Sequence, residues 1–104
     1  MLIAIRNETG FDLHLAISAR ESIRIRVTQD PPRLREGEEA SPLKAGHSFG
    51  LVNCPEGIGV TVKVAGAKLG IGVIKRRQVI DGLDDDGEDT GPETYLEILL
   101  RLMN

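Results

Sequence analysis

Aromatic residues and cysteines are scarce in this sequence of 104 residues. It has no tryptophan, one tyrosine, two phenylalanines and one cysteine. The single cysteine, Cys54, excludes a disulfide within the chain and a zinc site built on cysteines. So few aromatic rings also argue against a platform on which nucleic-acid bases stack.

Long apolar runs are missing too. No run approaches the length of a membrane-spanning helix. The opening residues, Met1–Gly10, are too short and too charged to serve as a signal peptide. We therefore expect a protein of the reducing cytoplasm without a transmembrane segment.

Charge of neither sign dominates. The sequence has 13 Lys and Arg against 16 Asp and Glu, which gives a net charge of −3. Many of the acidic residues are concentrated in Asp84–Asp89, so the rest of the chain is slightly basic. This balance gives no general reason to expect nucleic acid as a partner. The length predicts one domain over residues 1–104.

Alternation of apolar and polar residues is the main pattern that the sequence does have. In Ile58–Val64, aliphatic residues alternate with Gly59, Thr61 and Lys63. A period of two places one set of side chains in the core and the other in solvent, so the pattern predicts β-strands. Strands are predicted at Leu2–Arg6, Phe11–Ile17, Ile23–Val27, Ser48–Val52, Ile58–Val64 and Leu69–Ile74.

The last three of these strands are predicted to form one antiparallel unit with two turns between them. Within this unit, Phe49 and Val62 are predicted core residues. Together the strands predict an all-β domain, most simply a two-sheet antiparallel β-sandwich of seven or eight strands.

Three segments are harder to assign from the pattern. Arg33–Leu43 is predicted to be an irregular crossover between sheets, and Asp81–Pro92 an acidic, glycine-rich loop. Thr94–Met103 fits either a strand that turns Leu99 outward or a helix that begins near Pro92. We favour the strand, because an all-β domain needs one to cover a sheet edge.

Sequence motifs give no catalytic site. The pattern G-x-S-x-G occurs at Gly46–Gly50, but a nucleophile elbow needs a helix directly after it, and Leu51–Pro55 cannot begin one. The two histidines, His14 and His47, lack the spacing of a helical metal pair. We therefore expect a protein that is not an enzyme and that holds neither a metal nor a cofactor.

The acidic run Asp84–Asp89 offers carboxylate oxygens that Ca²⁺ could bind. Its glycine is misplaced for a calcium-binding loop, and no bidentate Glu follows at the required distance. A solvated, self-repelling loop is therefore the expectation, and cation binding stays open.

Basic residues on predicted strands are the candidate binding residues. Arg24, Arg26 and Lys63 are predicted on outward faces, whereas at most two residues of Lys75–Arg77 can share a face. Solvated strand faces are the simpler interpretation, and an RNA footprint is the alternative. The full set is Arg6, Arg24, Arg26, Lys63, Lys75, Arg76 and Arg77. Nearby, Gly70 and Gly72 leave a flat patch of backbone that another surface could approach.

Two spans resemble the aegerolysin-type β-sandwich proteins. Ile3–Phe11 has the apolar strand, the Asn and the Gly turn with which that family begins. Ala45–Cys54 is similar to its later Gly-x-Ser strand running into Cys, and a glycine turn and another strand follow as Gly57–Val64. The resemblance implies a lipid- or membrane-binding sandwich that acts beside a separate pore-forming partner.

Other spans resemble the carbon storage regulator family of small RNA-binding β dimers. Met1–Ile3 with Arg6 looks like its first strand, and Ile58–Val73 is similar to its central hairpin. The resemblance implies recognition of a GGA loop by the first strand, where Leu2 and Arg6 match, and by an Arg near the end of the fifth. This sequence has Lys75–Gln78 in that place.

The function that we expect is a non-catalytic binding module, directed to a lipid surface or to a protein partner and able to form oligomers. One alternative is an RNA-binding post-transcriptional regulator that uses the seven basic residues. A third is a structural subunit of a larger assembly, whose glycine-bare face packs against another chain.

Overall fold

A computed structural model describes residues 1–66, 70–83 and 89–103, with the backbone alone for 80–83 and 89–92. These residues form strands and turns, and they include no helix that could cross a membrane. In chain order the strands are β1 (Leu2–Asn7), β2 (Leu13–Ala19), β3 (Ile23–Thr28), β4 (Glu39–Leu43), β5 (Ser48–Leu51), β6 (Val60–Val64), β7 (Ile71–Leu83) and β8 (Asp89–Leu102).

The strands are arranged in two sheets of four. Sheet A has the order β5-β1-β8-β7, and sheet B has the order β4-β2-β3-β6. The predicted all-β, two-sheet sandwich is therefore confirmed. Both sheets are mixed, because β1 runs parallel to β8 and β3 runs parallel to β6, whereas the remaining pairs are antiparallel as predicted.

The predicted three-stranded unit after Ala45 is wrong, although its strands exist. β5 pairs with β1, β6 pairs with β3, and β7 pairs with β8, so three successive strands have three different partners. The chain thus changes sheets twice over this stretch. Alternation predicts which residues of a strand are buried, but both sheets bury the same kind of residue, so it does not identify the partner strand.

Three further segments can be compared with their predictions. Part of the supposed irregular stretch Arg33–Leu43 is β4, an edge strand that tolerates Pro42 because an edge residue can leave its nitrogen unpaired. The supposed loop Asp81–Pro92 is strand up to Leu83 and again from Asp89, and Asp84–Glu88 lies outside the described residues. The favoured strand at Thr94–Met103 is confirmed as far as Leu102, where β8 ends.

The core lies between the sheets and consists of aliphatic side chains. Leu99 is also buried, at 3% exposure, although it lies on the outer face of sheet A between Arg6 and Ile74. Phe49 and Val62 pack against the core but are only half-buried, because they belong to the edge strands β5 and β6. The fully buried side chains between the sheets include Ile3, Ile5, Leu13, Leu15, Ile23, Ile25, Val27, Leu43, Leu96, Ile98 and Leu100.

Asn7 connects the two sheets at one end of the core. Its side chain is fully buried at the end of β1, and Nδ2 donates to Leu43 O of β4 at 2.9 Å and to Phe11 O at 2.6 Å. Its Oδ1 accepts from the Thr9 nitrogen at 3.0 Å and from the Thr9 hydroxyl at 2.6 Å. In the turn before β5, the Asn7 nitrogen donates to His47 O, and the Gly46 nitrogen donates to Asn7 O. One residue thus satisfies polar groups of two turns and both sheets.

We predict that Asn7→Ala lowers the free energy of unfolding by about 3 kcal/mol, because buried carbonyl and amide groups lose their partners. Asn7→Asp should destabilise further, since it places a buried carboxylate against the Leu43 and Phe11 carbonyls. Ser48→Ala, at an exposed position on β5, is the control and should change stability by less than about 0.5 kcal/mol. Chemical denaturation measures all three, and equal midpoints for Asn7→Ala and Ser48→Ala would contradict this role for Asn7.

Candidate binding cleft

The segment that connects β3 to β4, here called the crossing segment, lies over the outer face of sheet B. Because β4 lies beside β2 and not beside β3, residues 29–38 must pass across β2 to connect β3 to β4. Ala16 of β2 lies on the outer face and is nevertheless completely buried. A small side chain at this position lets the segment lie close to the sheet.

Arg26 anchors the crossing segment to the sheet. Its Nη2 donates to Glu38 Oε1 at 2.7 Å and to Arg33 O at 3.0 Å. Glu38 Oε1 also accepts from the main-chain nitrogen of Arg35 at 2.6 Å. The two charged side chains are largely covered, with exposures of 17% for Arg26 and 11% for Glu38, so this ion pair is screened less than a surface pair would be.

One polar atom of this arrangement has no partner. Arg26 Nε is buried and lacks a hydrogen bond to any part of the chain that the structure describes. A buried donor without an acceptor is unfavourable, so an acceptor supplied by a ligand or by water would stabilise it.

Between the crossing segment and β6 lies a cleft of about 230 Å³. Of the described residues, four basic and two acidic ones line it, so the cleft is net positive in a chain whose net charge is −3. Glu38 is already paired with Arg26, which leaves Arg24, Arg35 and Lys63 to face solvent with Glu36. The lining residues are Ser18, Arg24, Ile25, Arg26, Arg35, Glu36, Glu38, Thr61 and Lys63.

The cleft continues toward the turn between β2 and β3. A second depression of about 420 Å³ shares Ser18, Arg24 and Glu36 with the first and adds Arg20, Glu21 and Ser22. The guanidinium of Arg20 lies against Gly37, where a Cβ would come within 2.8 Å of Arg20 Nη2. Gly37 also has a φ of 81°, which favours glycine. Glycine at this position therefore allows the segment both to turn and to approach Arg20.

The structure divides the seven predicted basic residues among three surfaces. Arg24, Arg26 and Lys63 come together in the cleft, where Arg26 stands opposite Lys63 in the β3–β6 ladder. Arg6 and Arg76 lie on the outer face of sheet A, and Arg76 is 4.0 Å from Glu97.

The remaining two lie on the opposite face of β7. Lys75 is opposite the buried Ile98 in the β7–β8 ladder and donates from Nζ to Val60 O of sheet B at 2.9 Å. Arg77 is opposite the buried Leu96, on the same face as Lys75. Sequence reasoning missed Arg20 and Arg35, which border the cleft. Both lie outside the strands, so no alternation pattern could have marked them.

The glycine patch is partly covered by the chain itself. Met103 packs its side chain on Gly72, where a Cβ would come within 2.3 Å of Met103 Cγ. The Met103 nitrogen also donates to Gly70 O at 2.8 Å. The bare backbone at Gly72 therefore accommodates the methionine that directly follows β8.

The other motifs are placed apart from the cleft. Ser48 begins the edge strand β5 opposite Arg6, and the ring of His14 lies 3.2 Å from Gln29 O. Within the described ranges, no three His, Cys, Asp or Glu side chains are grouped so that they could hold a metal ion. The predicted acidic run falls largely on Asp84–Glu88, outside those ranges.

Comparisons of the chain with protein-family models, with curated proteins and with solved structures give no match. The resemblances to aegerolysin-type proteins and to carbon storage regulators therefore stay predictions. The geometry of the cleft is the basis for a functional assignment.

The ion pair of Glu38 predicts a pH dependence. The hydrogen bond from Arg26, followed by that from the Arg35 main chain, holds the pKa of Glu38 below its ordinary value of 4.5. A carboxyl group whose pKa is lowered on folding contributes stability above its unfolded pKa, and this contribution disappears as the pH falls through the folded value. Wild type should therefore melt at a higher temperature than Glu38→Gln near neutral pH, and the difference should shrink in acid.

Thermal unfolding of both proteins over a pH series measures this difference. Glu36→Gln, at an exposed position of the same segment, is the matched control and should show a small difference that does not change in this way. A difference between wild type and Glu38→Gln that stayed constant into acid would contradict the ion pair.

Proposed function

We propose that the protein is a non-catalytic binding module, and that the cleft on the outer face of sheet B binds an acidic segment of a protein partner. The observation that carries this proposal is a concentration of basic side chains around a concave surface of a net acidic chain. Charge of one sign in a cleft attracts and orients a partner of the opposite sign.

The cleft offers carboxylates more than one kind of contact. Exposed cationic groups come from Arg24, Arg35 and Lys63. Hydroxyl groups come from Ser18 and Thr61, in the two strands that flank β3. Charge-assisted hydrogen bonds from such groups to carboxylates are stronger than neutral ones. Arg26, fixed by Glu38 and Arg33 O, forms the floor, and its Nε has no acceptor among the described residues.

The lining favours a peptide over the two other ligand classes considered. Apart from Ile25, every described residue that lines it has a polar or charged end group, which suits a charged segment with some apolar contact better than an acyl chain. None of the residues that line it is aromatic, so bases would have nothing on which to stack. A cytoplasmic location for this activity belongs to the same proposal.

The test measures binding of a labelled oligo-glutamate peptide to wild type, to Arg24→Ala/Lys63→Ala and to Arg6→Ala. The double variant should lose at least about 1.5 kcal/mol of binding free energy, roughly tenfold in affinity, because it removes charge-assisted contacts. Arg6→Ala removes an exposed charge from sheet A and should bind as wild type does. Added salt should weaken the wild-type complex.

Two further probes identify the alternatives. A random single-stranded RNA pool should bind more weakly than the peptide, and phosphatidylserine vesicles should leave the protein in solution. Tighter binding to RNA that the double variant abolishes would replace the proposal with the RNA regulator. Binding to vesicles that the double variant retains would favour a lipid-directed module through another surface. No affinity for the peptide, or equal loss in Arg6→Ala, would overturn the proposal.

A further inference from the structure

β7 is much longer than the other three edge strands. Each sheet has two edges, and β4, β5 and β6 occupy three of these with lengths of 5, 4 and 5 residues. β7 occupies the fourth and is 13 residues long. It contains no proline, whereas β4 contains Pro42. A long edge strand presents a row of main-chain donors and acceptors that can pair with another chain.

The last five of the 13 residues of β7 lie opposite a part of β8 that β1 does not reach. β1 pairs with β8 from Tyr95 onward, so β8 from Asp89 to Thr94 has β7 as its strand partner in the described part of the chain. The matching part of β7 runs from Val79 to Leu83. We call these two pieces the arm. A ribbon of two strands is only marginally stable alone, and further strands at its edge would stabilise it.

The residues whose main chains face the open edge can be identified. Met103 N donates to Gly70 O, so these two residues form a hydrogen-bonded pair of the β7–β8 ladder. Such pairs alternate with pairs that exchange no bonds. The odd-numbered residues of β7, including Arg77, Val79 and Asp81, therefore direct their N–H and C=O groups away from β8.

The sequence of β7 is self-complementary in charge. Lys75, Arg76 and Arg77 are basic, and Asp81 and the acidic run after Leu83 follow them. If two copies of β7 pair antiparallel over their full length, Arg77 stands opposite itself, which is unfavourable. A register with Val79 on the two-fold axis places Arg77 of each copy opposite Asp81 of the other. It also covers Val79, which is 69% exposed in the single chain.

We propose that β7 is a homodimerisation edge, on which a second copy of this chain pairs antiparallel with Val79 at the two-fold axis. The arm of each copy then pairs with Lys75–Val79 of the other copy, and the strands lie in the order β8-β7-β7-β8. The interface is the same patch on both copies, so it closes as a dimer and does not propagate. This surface is separate from the cleft of sheet B.

Charge reversal across the proposed axis tests the register. Sedimentation equilibrium should show a dimer for wild type, and Arg77→Asp or Asp81→Arg alone should weaken dimerisation about tenfold or more, because each places like charges opposite each other twice. The double variant Arg77→Asp/Asp81→Arg restores both pairs and should dimerise as wild type does. Arg24→Asp makes the same charge change on sheet B and should remain dimeric. Amide spectra of each variant verify that the fold is retained.

A second measurement locates the axis independently of charge. Val79→Cys in a Cys54→Ser background, carrying a nitroxide label, should show a strong dipolar interaction between the two copies. A label at Ser48→Cys in the same background should show none, because β5 lies at the opposite edge of sheet A. A monomeric wild type, a dimer that Arg77→Asp leaves intact, failure of the double reversal to restore it, or absent coupling at Val79 would each overturn the proposal.

Discussion

The buried amide of Asn7 is the constraint on which the arrangement of the two sheets depends most. An amide removed from water must satisfy its donors and its acceptor, and the groups available are Leu43 O in sheet B, Phe11 O and Thr9. The hydrogen bonds of Asn7 to these groups hold β1 against β4 and close the turn before β2. The aliphatic core supplies most of the driving force for folding, but it is non-directional, so this polar cluster helps to determine how the sheets are aligned.

The cleft of sheet B follows from the strand order. Placing β4 beside β2 forces residues 29–38 across the sheet, and Arg26 with Glu38 holds them there. Arg26 is engaged in this ion pair, whereas Arg24 and Lys63 remain exposed in the cleft. The positive cleft is thus a consequence of a crossover, and its proposed role as a site for an acidic segment depends on that crossover staying closed.

The arm and the cleft lie on different sheets and would serve different partners. β7 is positioned by β8, which is paired on both sides within the sandwich from Tyr95 onward, so the arm is anchored at a stable base. Pairing of the two β7 strands would leave the cleft of sheet B exposed. A dimer would then present two clefts, and linked sites bind a partner with repeated acidic segments more tightly than a single site does.

The sequence alone determined the fold class and the buried face of most strands, because a period of two is a local property. It placed Arg24, Arg26 and Lys63 on outward faces for the same reason. It did not determine that β6 pairs with β3, that Leu99 is buried on an outer face, or that Arg20 and Arg35 border the same cleft as Lys63. Those facts depend on which strands are neighbours. Many pairings bury the same aliphatic residues equally well, so only the tertiary structure decided among them.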